Sequence, residues 1–128
     1  NIKGKRFLIP RATVARETLP EQLRKMGAIV DIAPAYQTIL PSPSVEALEK
    51  RLKEGSIDVI TFTSSSTVNN FLALMSDKLL PYIKKAKIAC IGPITEKTAR
   101  DAGLIVEIVP NQYTVSSLMD AIENHFPS

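Results

Sequence analysis

One cysteine and one histidine are the whole of those two residue types in this 128-residue chain. Cys90 has no second cysteine to pair with, so a disulfide framework is excluded and a reducing cytosol is the expected location. His125 lies close to the end of the chain, away from any cysteine or paired carboxylates, and reads as incidental. No metal box and no nucleophilic triad can be assembled, so no metal is expected. No apolar run approaches the ~20 residues of a membrane span, and the first residues lack a signal-peptide pattern. A membrane is therefore not an expected partner. No G-x-G-x-x-G follows a strand-like run and no G-x-x-x-x-G-K-[ST] occurs, which excludes the common dinucleotide and P-loop sites. There is no arginine-rich stripe interleaved with aromatics, so nucleic acid is not expected either. The chain opens on Asn1 and not on Met, which reads as a processed protein or a piece of a longer one.

What is present is ordinary for a globule. Apolar residues make up 45% of the chain, charged residues 23%, and the net charge is +3. The length suits one α/β domain over residues 1–128. Lys5–Ile9 reads as a first strand closed by Pro10. Thr18-Leu19-Pro20-Glu21 has capping-box spacing, Leu19, Leu23 and Met26 give the following helix an apolar stripe, and Gly27 ends it. Ala28–Ala33 is a second strand stopped by Pro34. Residues 36–43 hold two prolines and read as an extended connector. A helix over Ser44–Glu54 stops at Gly55, and Ile57–Phe62 is the third strand. Val68, Phe71, Leu72 and Met75 share one helix face. Lys87–Ile91 is the fourth strand, Ile94–Ala102 a helix stopped by Gly103, and Leu104–Val109 the fifth strand before Pro110. Thr114 caps a last helix with Val115, Leu118, Met119, Ile122 and Phe126 inward. Arg24–Pro34 matches Arg100–Pro110 in pattern: helix end, Gly turn, strand, Pro stop. Alternation of this kind predicts a five-stranded parallel sheet with helices on both faces, in the flavodoxin-like order 2-1-3-4-5.

In such a sheet ligands lie beyond the carboxyl ends of the strands. Two junctions there stand out. Ser64-Ser65-Ser66-Thr67 follows the third strand, and Gly92-Pro93-Ile94-Thr95 follows the fourth. A helix needs only one cap, so four consecutive hydroxyl residues exceed that need. Small residues leave room, and hydroxyls with free helix N-terminal amides suit an anion. Ser64, Ser65, Ser66, Gly92 and Thr95 are the candidate binding residues. Arg11 and Arg16, after the first strand, are either solvated surface arginines or a clamp for carboxylate or phosphate. Tyr36, just past the second strand, is either a packing residue with a wet hydroxyl or a functional one. The third strand ends in Thr-Ser and not in an acid, which disfavours a receiver-type phosphorylation domain.

Tyr36-Gln37-Thr38, Ile60-Thr61-Phe62-Thr63-Ser64, Ile88-Ala89-Cys90-Ile91-Gly92-Pro93-Ile94-Thr95 and Pro110…Tyr113-Thr114…Leu118…Ile122 run through the chain in one order. In that order they resemble the uroporphyrinogen-III synthases, roughly their second half. The resemblance implies an enzyme of tetrapyrrole biosynthesis that closes hydroxymethylbilane to uroporphyrinogen III with inversion of the last pyrrole ring, using no metal and no organic cofactor. It implies a catalytic part for Tyr36. It places Ser64 and Thr95 at the substrate's carboxylates and Lys87 near the cleft, while Ile94 departs from a frequent hydroxyl residue. It further implies that residues 36–43 link two domains and that a uroporphyrinogen methyltransferase domain can be fused in the parent protein. Two copies of an isolated half can exchange their first ~35 residues as a domain-swapped homodimer. The alternative reading is a non-catalytic tetrapyrrole-binding or structural half-domain.

Overall fold

The computed structural model describes residues 2–11, 19–34, 43–74 and 79–126. They form β1 (Arg6–Arg11), α1 (Leu19–Lys25), β2 (Ile29–Pro34), α2 (Pro43–Glu54), β3 (Val59–Phe62), α3 (Ser65–Leu74), α4 (Leu80–Ile83), β4 (Lys87–Cys90), α5 (Pro93–Asp101), β5 (Val106–Ile108) and α6 (Val115–His125). The five strands make one sheet in the order β2-β1-β3-β4-β5, and every neighbouring pair is parallel. This is the expected flavodoxin-like order. β1 pairs with β3 of its own chain through Phe7↔Val59 and Leu8↔Ile60. No helix among the described residues is long and apolar enough to cross a membrane.

Strand alternation divides the apolar side chains between two cores. Leu8, Ile60, Phe62, Ile88 and Cys90 point to one face, where Leu52 of α2, Val68 and Phe71 of α3, Ile83 of α4 and Ala99 of α5 cover them. Phe7, Ile9, Val59 and Ala89 point to the other, under Leu19 and Leu23 of α1 and Leu118 and Ile122 of α6. Helices therefore cover both faces, and all four residues of the central β3 are buried.

β5 departs from simple alternation. Ile88 pairs with Val106 but Ala89 with Ile108, so Glu107 is an extra residue in the edge strand. A bulge of this kind rotates the chain beyond it. Val106 accordingly joins the first core and Ile108 the second.

Several expected boundaries move, and β3 begins at Val59 and not at Ile57. β1 does not stop at Pro10 but runs to Arg11, with Pro10↔Ala33 and Arg11↔Pro34. Pairing with β3 has already ended at Leu8. The strand is one-sided there, and a residue without an N–H is tolerated at such a position. β5 is three residues and not six. The one-turn α4 was not expected, because a single turn shows no helical period. Thr18, Met75 and connector residues 36–42 lie outside the described residues, and Pro43, expected in the connector, is the first residue of α2.

The repeat has a structural basis at the amino edge of the sheet. Gly27 and Gly103 have φ of 91° and 93°, which L side chains adopt only with strain. Gly27 N–H donates to Arg24 O and Ala28 N–H to Leu23 O; Gly103 N–H donates to Arg100 O and Leu104 N–H to Ala99 O. Each set is a Schellman turn. In each, the arginine of the last helical turn donates to the carbonyl of the strand residue six positions on, Arg24 to Val30 at 3.1 Å and Arg100 to Val106 at 3.2 Å.

Candidate functional site

The carboxyl ends of β3 and β4 bring the two expected junctions side by side. β3 and β4 pair through Phe62↔Cys90, and Ile91 N–H extends the ladder to Phe62 O at 3.1 Å. The chain then turns into α3 after Ser64 and into α5 after Gly92.

Ser64 caps α3. Its Oγ accepts from Thr67 N–H at 3.2 Å, and Thr67 Oγ1 donates to Ser64 O at 2.6 Å. Ser64 Oγ also lies 3.1 Å from Ser66 Oγ. The capping reading of Ser64 therefore holds, and Thr67 is buried within the cap. Ser65 has a different task. Its Oγ accepts from Thr98 Oγ1 at 3.0 Å, and Thr98 shares the same proton with Ile94 O at 3.1 Å. This bond ties the first turn of α3 to α5. Ser66 remains exposed. The result is two hydroxyl clusters at the rim, Ser64 with Ser66 and Thr67, and Ser65 with Thr98.

α5 opens without a side-chain cap, since Gly92 has none to offer. Pro93 carries no N–H, so the amides of Ile94 and Thr95 are the first free donors of the helix. Thr95 is 5% exposed and lines a mainly apolar pocket of about 220 Å³ with Ile91, Gly92, Pro93, Ile94 and Tyr113. Ile94, which lines the same pocket, is 77% exposed.

Lys87 is not part of this cluster. Lys87 is the first residue of β4, at the opposite end of the strand from Gly92, and its ammonium pairs with Glu107 at 2.9 Å. Arg11 ends β1, and its side chain, like all of Arg16 and Tyr36, lies outside what is described. Ser64, Ser65, Ser66, Gly92 and Thr95 thus come together, and Lys87 does not join them. Sequence reasoning missed Thr98 and Tyr113. Thr98 carried a weak signal, standing one helical turn after Thr95. Tyr113 immediately precedes the α6 cap Thr114, in the turn after β5, which belongs to the same sheet edge.

A family model described as "Uroporphyrinogen-III synthase HemD" matches residues 1–120. The chain belongs to the uroporphyrinogen-III synthase family. It is 37% identical over 127 residues to a uroporphyrinogen-III synthase of Synechococcus elongatus, covering 95% of this chain and 48% of that protein. It is 29% identical over 120 residues to a "Porphyrin biosynthesis protein HemD" of Ruminiclostridium josui, of which it covers 23%. Among solved structures, the Thermus thermophilus uroporphyrinogen III synthase superposes with a TM-score of 0.56 at 16% identity, over 98% of this chain and 52% of that one. At that identity the likeness is one of fold. The chain spans about half the length of the first curated synthases it matches.

Cys90, inside a family motif at the end of β4, takes no part in surface chemistry. It is fully buried, and burial pushes its thiol up from an ordinary 9.0 to about 12, with the nearby Glu96 carboxylate adding to the rise and Arg100 opposing it. The thiolate is the reactive form, so thiol reagents at pH 8 are expected to label Cys90 only as fast as the protein unfolds. Because the folded value exceeds the unfolded one, the contribution to stability is complete below pH 9 and is lost as pH rises from about 9 towards 12. Denaturant melts along that range should show a steeper alkaline decline for the parent than for Cys90→Ala. Equal slopes, or labelling faster than unfolding, would contradict this.

Proposed function

We propose that this chain forms half of a uroporphyrinogen-III synthase, which cyclises hydroxymethylbilane to uroporphyrinogen III with inversion of the last pyrrole ring. The family match over residues 1–120, running through all five strands and both rim junctions, carries the proposal. The geometry suits it. A polycarboxylated substrate needs donors more than it needs a nucleophile. The rim offers uncharged hydroxyls at Ser65, which accepts from Thr98 and keeps its own proton, and at Ser66, together with the uncapped amides of α5.

Departure of the substrate's hydroxyl as water, which takes up one proton while the pyrrole N–H gives one up, leaves an electrophilic azafulvene. Attack on it by the substituted carbon of the last ring forms a spiro intermediate, which fragments and recloses with that ring turned over. Closure without the protein gives the uninverted isomer. The protein's contribution is therefore to hold the linear chain in the shape that favours the inverting attack. Tyr36 is assigned the proton to the leaving hydroxyl on resemblance alone.

Incubation of the protein carrying both synthase halves with hydroxymethylbilane, oxidation of the products to porphyrins and chromatographic separation of the isomers is the test. Isomer III above the uncatalysed background is expected. A second reading, a tetrapyrrole-binding half-domain without activity, is favoured by the match to only about half of each synthase's length. Tetrapyrrole binding with isomer I alone would select that reading.

A further inference from the structure

We infer that Tyr113 is a positioning residue that lays its ring against one pyrrole ring of the bound tetrapyrrole, with the pocket beside it receiving that ring. The inference deepens the synthase reading and rests on it for the identity of the ligand.

Three observations converge on Tyr113. It is 64% exposed, so its ring is not part of either core. One side of the ring lies against Gly92: a Cβ there would stand 3.1 Å from Tyr113 Cδ1 and 3.2 Å from Cγ. Gly92 has φ −164° and ψ −178°, an extended backbone that any residue adopts. The backbone angles do not call for glycine there, and the space taken by the tyrosine ring does. An aromatic ring with backbone behind one side and solvent in front of the other presents a flat face to a ligand.

The pocket next to that platform has the chemistry of one substituted pyrrole. Ile91, Pro93 and the 77% exposed Ile94 supply apolar walls. Thr95, all but buried, makes no side-chain hydrogen bond among the described residues and lines the same pocket, next to the uncapped start of α5. An apolar ring against the walls would place a carboxylate arm at those donors. The volume, about 220 Å³, is below the ~300 Å³ at which pockets begin to enclose a whole drug-sized ligand. It fits one ring of a larger molecule whose remainder lies along the rim.

The test follows the Tyr113 ring protons by NMR and measures affinity in the same titrations. Uroporphyrinogen III, kept reduced, is compared with butanetetracarboxylate, a polycarboxylate with no ring. Uroporphyrinogen III should shift the ring protons and butanetetracarboxylate should not. Tyr113→Ala should weaken uroporphyrinogen III roughly five-fold, the scale of one aromatic contact, and leave butanetetracarboxylate unchanged. Tyr113→Phe should restore the affinity. Gly92→Ala, whose methyl group would press on the ring with Tyr113 present, should weaken uroporphyrinogen III in the same direction and by less. In turnover of hydroxymethylbilane the alanine variant should raise KM more than it lowers kcat. An unchanged affinity in Tyr113→Ala, ring shifts of equal size with both ligands, or no binding of uroporphyrinogen III by the parent protein would each overturn the inference. Isomer III formation with KM unaltered in Tyr113→Ala removes the ring subsite and spares the synthase reading. Ring-specific binding with isomer I alone removes the synthase activity and upholds the subsite.

Discussion

Phe62→Ala should lower stability by about 3–5 kcal/mol, the range for removing a large aromatic from a packed core. Phe62 ends the central strand β3 and is fully buried. Its ring meets Phe71 of α3 edge-on, with centroids 5.9 Å apart and planes at 63°. Deleting it leaves a cavity between sheet and helix and strips Phe71 of its partner. Domains of this size are stable by only about 5–15 kcal/mol, so the loss is a large share of the total and should drop Tm by roughly 10–20 °C. Phe62→Leu fills most of the volume and should cost about 1.5 kcal/mol or less. Urea melts of both variants decide the matter. A loss below 1 kcal/mol for the alanine variant would mean that α3 is not anchored to the sheet as described.

Thr61→Val should have the opposite sign, raising stability by about 1–3 kcal/mol. Thr61 is fully buried one residue earlier in β3, opposite Ala89 of β4. Its Oγ1 is the one buried side-chain polar atom among the described residues with no hydrogen-bond partner. Valine keeps the branched shape, which suits a strand, and replaces the orphaned hydroxyl with a methyl group. Most core substitutions destabilise, so a gain here would be diagnostic. A Tm at or below that of the parent protein would show that the hydroxyl is satisfied in solution.

These two neighbours illustrate what was legible in the sequence and what was not. The apolar run Val59–Phe62 identifies a buried central strand, and repeated Gly turns with Pro stops identify parallel βα units, so strand order could be reasoned out. The hydroxyls at Ser64–Thr67 and Thr95 stand at strand ends, so their rim could be placed as well. Periodicity, however, assumes a regular strand. Val106 and Ile108 read as sharing a face, and only the extra residue Glu107 sends them to opposite cores. Pro10 reads as a stop, and only the loss of β3 pairing after Leu8 lets β1 continue. The Ser65–Thr98 bond spans 33 residues, and the Tyr113–Gly92 approach joins separate turns. Neither follows from local pattern, because both arise from the spacing of helices on a finished sheet.

The paired arginine turns bear on how such a chain can change over generations. At Gly27 and at Gly103 the way from helix to strand is closed by two backbone bonds, a left-handed residue and an arginine reaching to the carbonyl six positions ahead. A single inserted residue would put every one of these out of step at once and rotate the strand that follows, turning its buried face outward. The opposite rim has no such lock between β5 and α6, where Pro110 to Tyr113 leads to a cap that is local to Thr114 and Ser117. Length is held constant at the two arginine turns, while on the rim proposed to meet the substrate it can change in the Asn111–Gln112 stretch ahead of Tyr113. New specificity can be sampled by loop growth there without disturbing the sheet beneath.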